Sequence, residues 1–142
     1  MSKLVVIVQC DAVQKRCAGY FCTKSFYNKT GVFGEYPEDT QYMTFTCGGC
    51  CGVSLAAKLE SLTKKRRICG EKKEDVTVHF SSCIVSDNYH TPPCPHVEYM
   101  KEIVRKKGYT FAAGSYICKQ TEAKRKAGLY GSFTDKEVIC EV

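Results

Sequence analysis

Long apolar runs are missing from this chain of 142 residues. The longest, Leu4 to Val8, is far too short to cross a bilayer. It also makes a poor secretory leader. Only Lys3 is basic before it, and Gln9-Cys10-Asp11 follow in place of small residues suited to cleavage. It is read as a buried first strand. No internal repeat and no linker is visible, so the length predicts a single domain, residues 1–142, with one core. Aromatic residues do not interleave with the basic clusters Lys64-Lys65-Arg66-Arg67 and Lys119, Lys124, Arg125, Lys126. The net charge of +6 is therefore assigned to a favourable helix end and a solvated helix face rather than to nucleic acid. The dinucleotide fingerprint is absent too, because Gly48-Gly49-x-x-Gly52 has the wrong spacing.

What the chain has in excess is cysteine: 11 residues, an odd number. A disulfide scaffold belongs to small secreted domains with little core. Here there is ample strand and helix to bury, and the expected location is cytoplasmic. Cysteine at that density in such a chain points to a metal, a cluster or thiol chemistry.

Strand-like and helix-like segments alternate. Lys3–Gln9 is a continuous β-branched run, as a strand covered on both faces requires. Cys17 and Cys22 follow in a loop, then a short helix over 23–29, stopped by Gly31. Tyr42–Thr46 is a second strand. The helix after it is expected to start near Cys51 or Gly52, with Leu55, Leu59 and Leu62 on one apolar stripe and an end near Gly70. Val76–Phe80 is a third strand. Pro95 is placed in the first turn of a further helix closed by Gly108. Tyr109–Ala113 is a fourth strand. A helix over 121–127 and a short strand over 137–140 complete the chain. The alternation predicts an α/β fold with an open, mostly parallel sheet, helices on both faces, and a last strand that can run antiparallel at an edge.

Ligands of such sheets bind beyond the carboxyl ends of the strands. Cys10 ends the first strand and Cys47 the second, with Cys50 three residues on. Cys83 follows the third, Cys94 opens a helix, and Cys118 lies past the fourth. Thiolates select zinc, copper(I) or iron–sulfur clusters. Cys17 and Cys22 can supply further ligands. The N–H groups of Gly48 and Gly49 are candidates to face a metal-bound sulfur. His96 is a candidate ligand or acid–base group. His79, between Val78 and Phe80, is expected to be a hydrogen-bonded core residue, and His90 to be exposed in a loop. Cys69 and Cys140 are expected to be buried packing residues. Cys51 and Cys118 are left unassigned.

Thr46-Cys-Gly-Gly-Cys50 resembles the core of the CGGC domain family. The opening strand ending in Cys10, the Cys17 and Cys22 loop, the strand closing on Cys83, and Pro92-Pro93-Cys94-Pro95 fit the same pattern over roughly residues 3 to 115. Where the family commonly places a proline after the second core cysteine, this chain has Cys51. The alternation of elements predicts a three-layer, flavodoxin- or Rossmann-like fold, and the resemblance adds that it is a metal-binding domain. Its carried-over ligands are Cys10, Cys17, Cys22, Cys47, Cys50, Cys83 and Cys94, with zinc or an iron–sulfur cluster as cofactor.

Two enzymatic readings compete. Strand, Cys-x-x-Cys, helix is the layout of thioredoxin-like motifs, in which the helix dipole would activate Cys47, Cys50 would resolve, and a redox protein would be the partner. Cys10-x5-Arg16 resembles the anion loop of low-molecular-weight phosphatases and related arsenate reductases. Residues 11–15, however, hold no glycine and place Asp11 where an anion would sit.

Overall fold

The computed structural model describes residues 3–86 and 92–116, together with 123 and 126–128. The helix expected over 121–127, the strand over 137–140, His90, Cys118 and Cys140 lie outside the described residues, as does most of the second basic cluster.

The chain begins with β1 (Leu4–Gln9), all six residues buried. A short helix α1 (Asp11–Gln14) and α2 (Tyr20–Asn28) follow. Next come β2 (Gln41–Thr46), α3 (Leu55–Ile68), β3 (Val76–Phe80), the four-residue α4 (Ser82–Val85), α5 (Val97–Lys106) and β4 (Thr110–Ala113). The four strands form one sheet in the order β2-β1-β3-β4, and every pair is parallel. The antiparallel edge strand falls on residues that are not described.

The periodicity of β1 explains the layers. Leu4, Val6 and Val8 pack with Val76, Val78 and Phe80 against Leu55 and Leu59 of α3 and Met100 and Val104 of α5. Val5 and Ile7 point the other way, to Phe26 of α2 and to Phe33. A strand apolar on both faces is what a parallel sheet with helices on either side needs. Among the described residues no helix is long and apolar enough to cross a membrane.

Three boundaries differ from the sequence expectation. Cys22 lies within α2, not in a loop, because Gly19 adopts φ +75° and starts that helix early. A side chain at 19 would also meet the Gln9 amide at 2.5 Å. Pro95 precedes α5, which starts at Val97. Most consequential, α3 starts at Leu55, after a closed turn. Gly52 N–H donates to Gly49 O at 2.7 Å, and Ser54 N–H reaches back to Cys47 O at 3.0 Å. Gly48, Gly49 and Gly52 all have positive φ there, a region glycine enters without steric cost.

Candidate functional site

β1 connects outward to β2 on one side, while β3 leads to β4 on the other, so the order of the sheet reverses between β1 and β3. A crevice at the carboxyl ends of these two strands is the usual ligand position in open α/β sheets. Cys10 stands at the end of β1. Cys83 lies in α4 just past β3, Cys47 directly after β2, and Cys94 in the segment before α5.

The turn of residues 47–54 sets the first pair. Cys47 is 7% exposed, and its N–H donates to Gln9 O at 3.0 Å, continuing the β1–β2 ladder by one rung. Cys50 is exposed. Four residues separate it from Leu55, so neither thiol sits at the amino end of α3. Gly48 N–H donates to Thr46 Oγ1 at 3.2 Å, and that hydroxyl donates to Asp11 Oδ1 at 2.8 Å. The Lys58 ammonium closes the base of the turn on Thr46 O at 3.2 Å. The N–H groups that reach sulfur belong to other residues. Gly19 donates to Cys17 and His96 to Cys94, each at 3.4 Å, and the backbone N–H of Cys10 serves Cys83.

The thiols form two overlapping sets. Burial pushes the Cys94 thiol up, the His96 N–H draws it partly back, and the charges of Cys10, Cys47 and Cys50 push it up again. Those four therefore share one electrostatic environment. Burial pushes Cys83 up to about 11, against the opposing Ser81 hydroxyl and Cys10 N–H, with Cys22 and Cys10 as charged neighbours. The Ser81 Oγ to Cys83 Sγ distance is 2.9 Å. Cys22 is likewise raised by burial, and Cys17 is its charged neighbour. Its sulfur lies 3.1 Å from Ser115 Oγ.

Ser115 was not singled out by the sequence. It exchanges two hydrogen bonds with Ser82, one N–H to each hydroxyl, at 2.9 and 3.1 Å. That pair joins the ends of β3 and β4 next to Cys22. The signal was present: each serine is the second residue past a strand end, on the edge where Cys10 and Cys47 also follow strands.

Every described cysteine is free of disulfide bonding. Among the described residues no three His, Cys, Asp or Glu side chains already stand around one point as a metal would need. His96 is half-buried and precedes α5 next to Cys94. Cys51 is exposed beside Cys50. Cys69 is exposed at the far end of α3, not buried as its type suggested. The Cys10-x5-Arg16 segment is not an anion cradle. It is wound as α1, and the N–H groups of Gln14, Lys15, Arg16 and Cys17 are engaged by the carbonyls of residues 10, 12 and 13.

Comparison with protein families gives one result: the CGGC domain model matches residues 4–116. No curated protein and no solved structure matches the chain.

Proposed function

Because the chain belongs to the CGGC domain family, we propose that its carboxyl-edge thiols bind a soft metal, as zinc or an iron–sulfur cluster, through Cys10, Cys47, Cys50 and Cys94. The observation that carries this reading is the shared environment of those four thiols, drawn from the ends of β1 and β2 and from the segment before α5. The charges of Cys10, Cys47 and Cys50 add to burial in pushing the Cys94 thiol up, so its thiolate is costly to form among them without a cation. Four is also the number that a closed zinc site or a cluster takes.

The donors fit such a group in kind and number. Their placement is not yet coordinating, so the side chains must turn inward, and Cys50 on its exposed turn has the freedom to do so. A bound metal would supply the positive charge that makes the thiolate form favourable. The chain supplies the rest. The turn closed by Ser54 N–H and Cys47 O holds Cys47 beneath Cys50. The His96 N–H solvates the Cys94 sulfur. Cys83, held through the Cys10 backbone, has Cys10 and Cys22 as neighbours, and Cys22 in turn has Cys17.

Metal analysis with a visible spectrum, on full-length protein purified without air or chelator, tests the reading. Zinc without colour, or iron with a broad visible band, is the expected result. Cys47→Ser is expected to lower metal content and stability together, since metal affinity adds to folding free energy. Cys22→Ser is expected to leave metal content unchanged. Unaltered stoichiometry in Cys47→Ser rejects the site.

The exposure of Cys50 above a buried Cys47 favours one second reading, dithiol exchange with the roles reversed from the sequence expectation. The Cys50 thiolate would attack a partner disulfide, forming a mixed disulfide and releasing one partner thiolate. Cys47 would then displace the second partner sulfur and leave a Cys47–Cys50 disulfide. Metal-free protein in which this pair titrates reversibly with two electrons would favour exchange over metal binding.

A further inference from the structure

At the amino edge of the sheet lies a cleft of about 620 Å³, lined by Leu4, Thr40, Tyr42, Leu62, Lys65 and Arg66, with Glu71 at its rim. Leu4 and Gln41 are paired at the starts of β1 and β2, whereas Cys10 and Cys47 follow the ends of those strands. Six residues of strand separate the two regions by roughly 20 Å, so the cleft is not part of the thiol site.

Two observations coincide there. Among the described residues, the buried side-chain nitrogen and oxygen atoms without a hydrogen-bond partner are Thr40 Oγ1 and Arg66 Nε. Both residues line this cleft. Arg66 is 7% exposed. Its Nη1 pairs with Glu71 at 2.5 Å, and its Nη2 reaches Lys72 O at 3.4 Å. A buried guanidinium N–H without an acceptor is rare in native folds, because its desolvation goes uncompensated. Both atoms belong to residues that line one cleft but are themselves closed off from solvent, so a polar group from outside the chain satisfies them once the side chains turn toward it.

We propose that this cleft binds a small monoanionic carboxylate with an apolar body. Lys65 and Arg66 bring two positive charges and Glu71 one negative, which leaves a single charge to neutralise. A planar carboxylate can engage the Nε side of a guanidinium with paired hydrogen bonds. A phosphate dianion would overcharge the cleft beside Glu71. Leu4, Leu62 and Met43, which belong to the same apolar cluster, form the apolar wall. The carboxyl end of α3 opposes an anion, but that effect is weaker than a hydrogen bond to a charged group.

The test is a titration of the ¹⁵N-labelled full chain with benzoate, with benzyl alcohol and inorganic phosphate run in parallel. Benzoate is expected to shift the amides of residues 40–43 and 62–67 in a saturable way. Benzyl alcohol is expected to bind about tenfold more weakly, the size of one charge-assisted hydrogen bond, and phosphate not to saturate. Arg66→Lys keeps the charge and removes Nε, and is expected to weaken benzoate by about tenfold. Leu62→Trp fills the cleft and is expected to abolish the shifts. Should Arg66→Lys fail to fold, Thr40→Val, expected to weaken benzoate severalfold, takes its place. Absence of saturable shifts, equal binding of benzyl alcohol or phosphate, or unchanged binding in Leu62→Trp overturns the proposal.

Discussion

His79 is held neutral by its surroundings. Nδ1 lies 3.1 Å from Gly114 O, which can only accept, so the proton is on Nδ1. Nε2 therefore accepts from the Tyr36 hydroxyl at 2.7 Å, and the Phe33 ring lies 4.9 Å away. Burial pulls its pKa from 6.5 down to about 4. The sign follows: between these values the unfolded chain takes a proton that the native chain does not. Stability present above pH 6.5 is lost as pH falls, by up to roughly 3 kcal/mol near pH 4. Urea midpoints measured across that range are expected to fall for the natural chain and to stay flatter in His79→Phe. An equal slope in both would assign the acid sensitivity elsewhere. The core role of His79 was legible from its apolar neighbours in the sequence. The burial of Arg66 was not read, although its place is written there. Residues 55, 59, 62 and 66 continue one helical stripe, and within the basic run Lys64–Arg67 only Arg66 turns inward.

The elements divide according to what determines their limits. The described strands were legible to within a residue: β1 is an apolar run buried on two faces, and the exposed β2 is marked instead by Tyr, Thr and Phe between turn residues. Helix starts were not, since tertiary hydrogen bonds set them. α3 waits for the closure of Ser54 onto Cys47, and α2 begins at a left-handed glycine with no capping side chain. The turn of residues 47–54 is correspondingly sensitive. A Cβ at Gly52 would lie 2.7 Å from Met100 Cγ, and one at Gly48 2.0 Å from Ser54 Oγ, each at φ +80°. Gly52→Ala and Gly48→Ala are each expected to cost about 2–4 kcal/mol, positive φ and overpacking together. Gly70→Ala meets nothing within 4 Å and is expected to carry only the backbone part, about 1–2 kcal/mol. Denaturant melts of the three variants would rank them, and equal losses would contradict the packing of this turn.

At the scale of the molecule, β1 is paired on both sides and covered on both faces, whereas β2 has a strand on one side only among the described residues and is largely exposed. Amide hydrogen exchange is expected to be slowest in β1 and β3 and faster in β2, because local opening follows burial and pairing. Uniform protection across the sheet would contradict this. The convergence of cysteines on one sheet edge could be foreseen, since strand order alone brings strand ends together. Which thiols face one another could not, because that depends on the turn after β2 and on where α2 begins. Uneven exposure among those thiols has a practical use. Cys50, Cys51 and Cys69 lie at the surface and Cys47 beneath it, with no disulfide among the described cysteines. A short maleimide pulse on metal-free protein therefore labels the surface thiols first and reaches Cys47 only in molecules that have opened, so mass spectrometry of the proteolytic peptide that carries Cys47 measures the opened fraction.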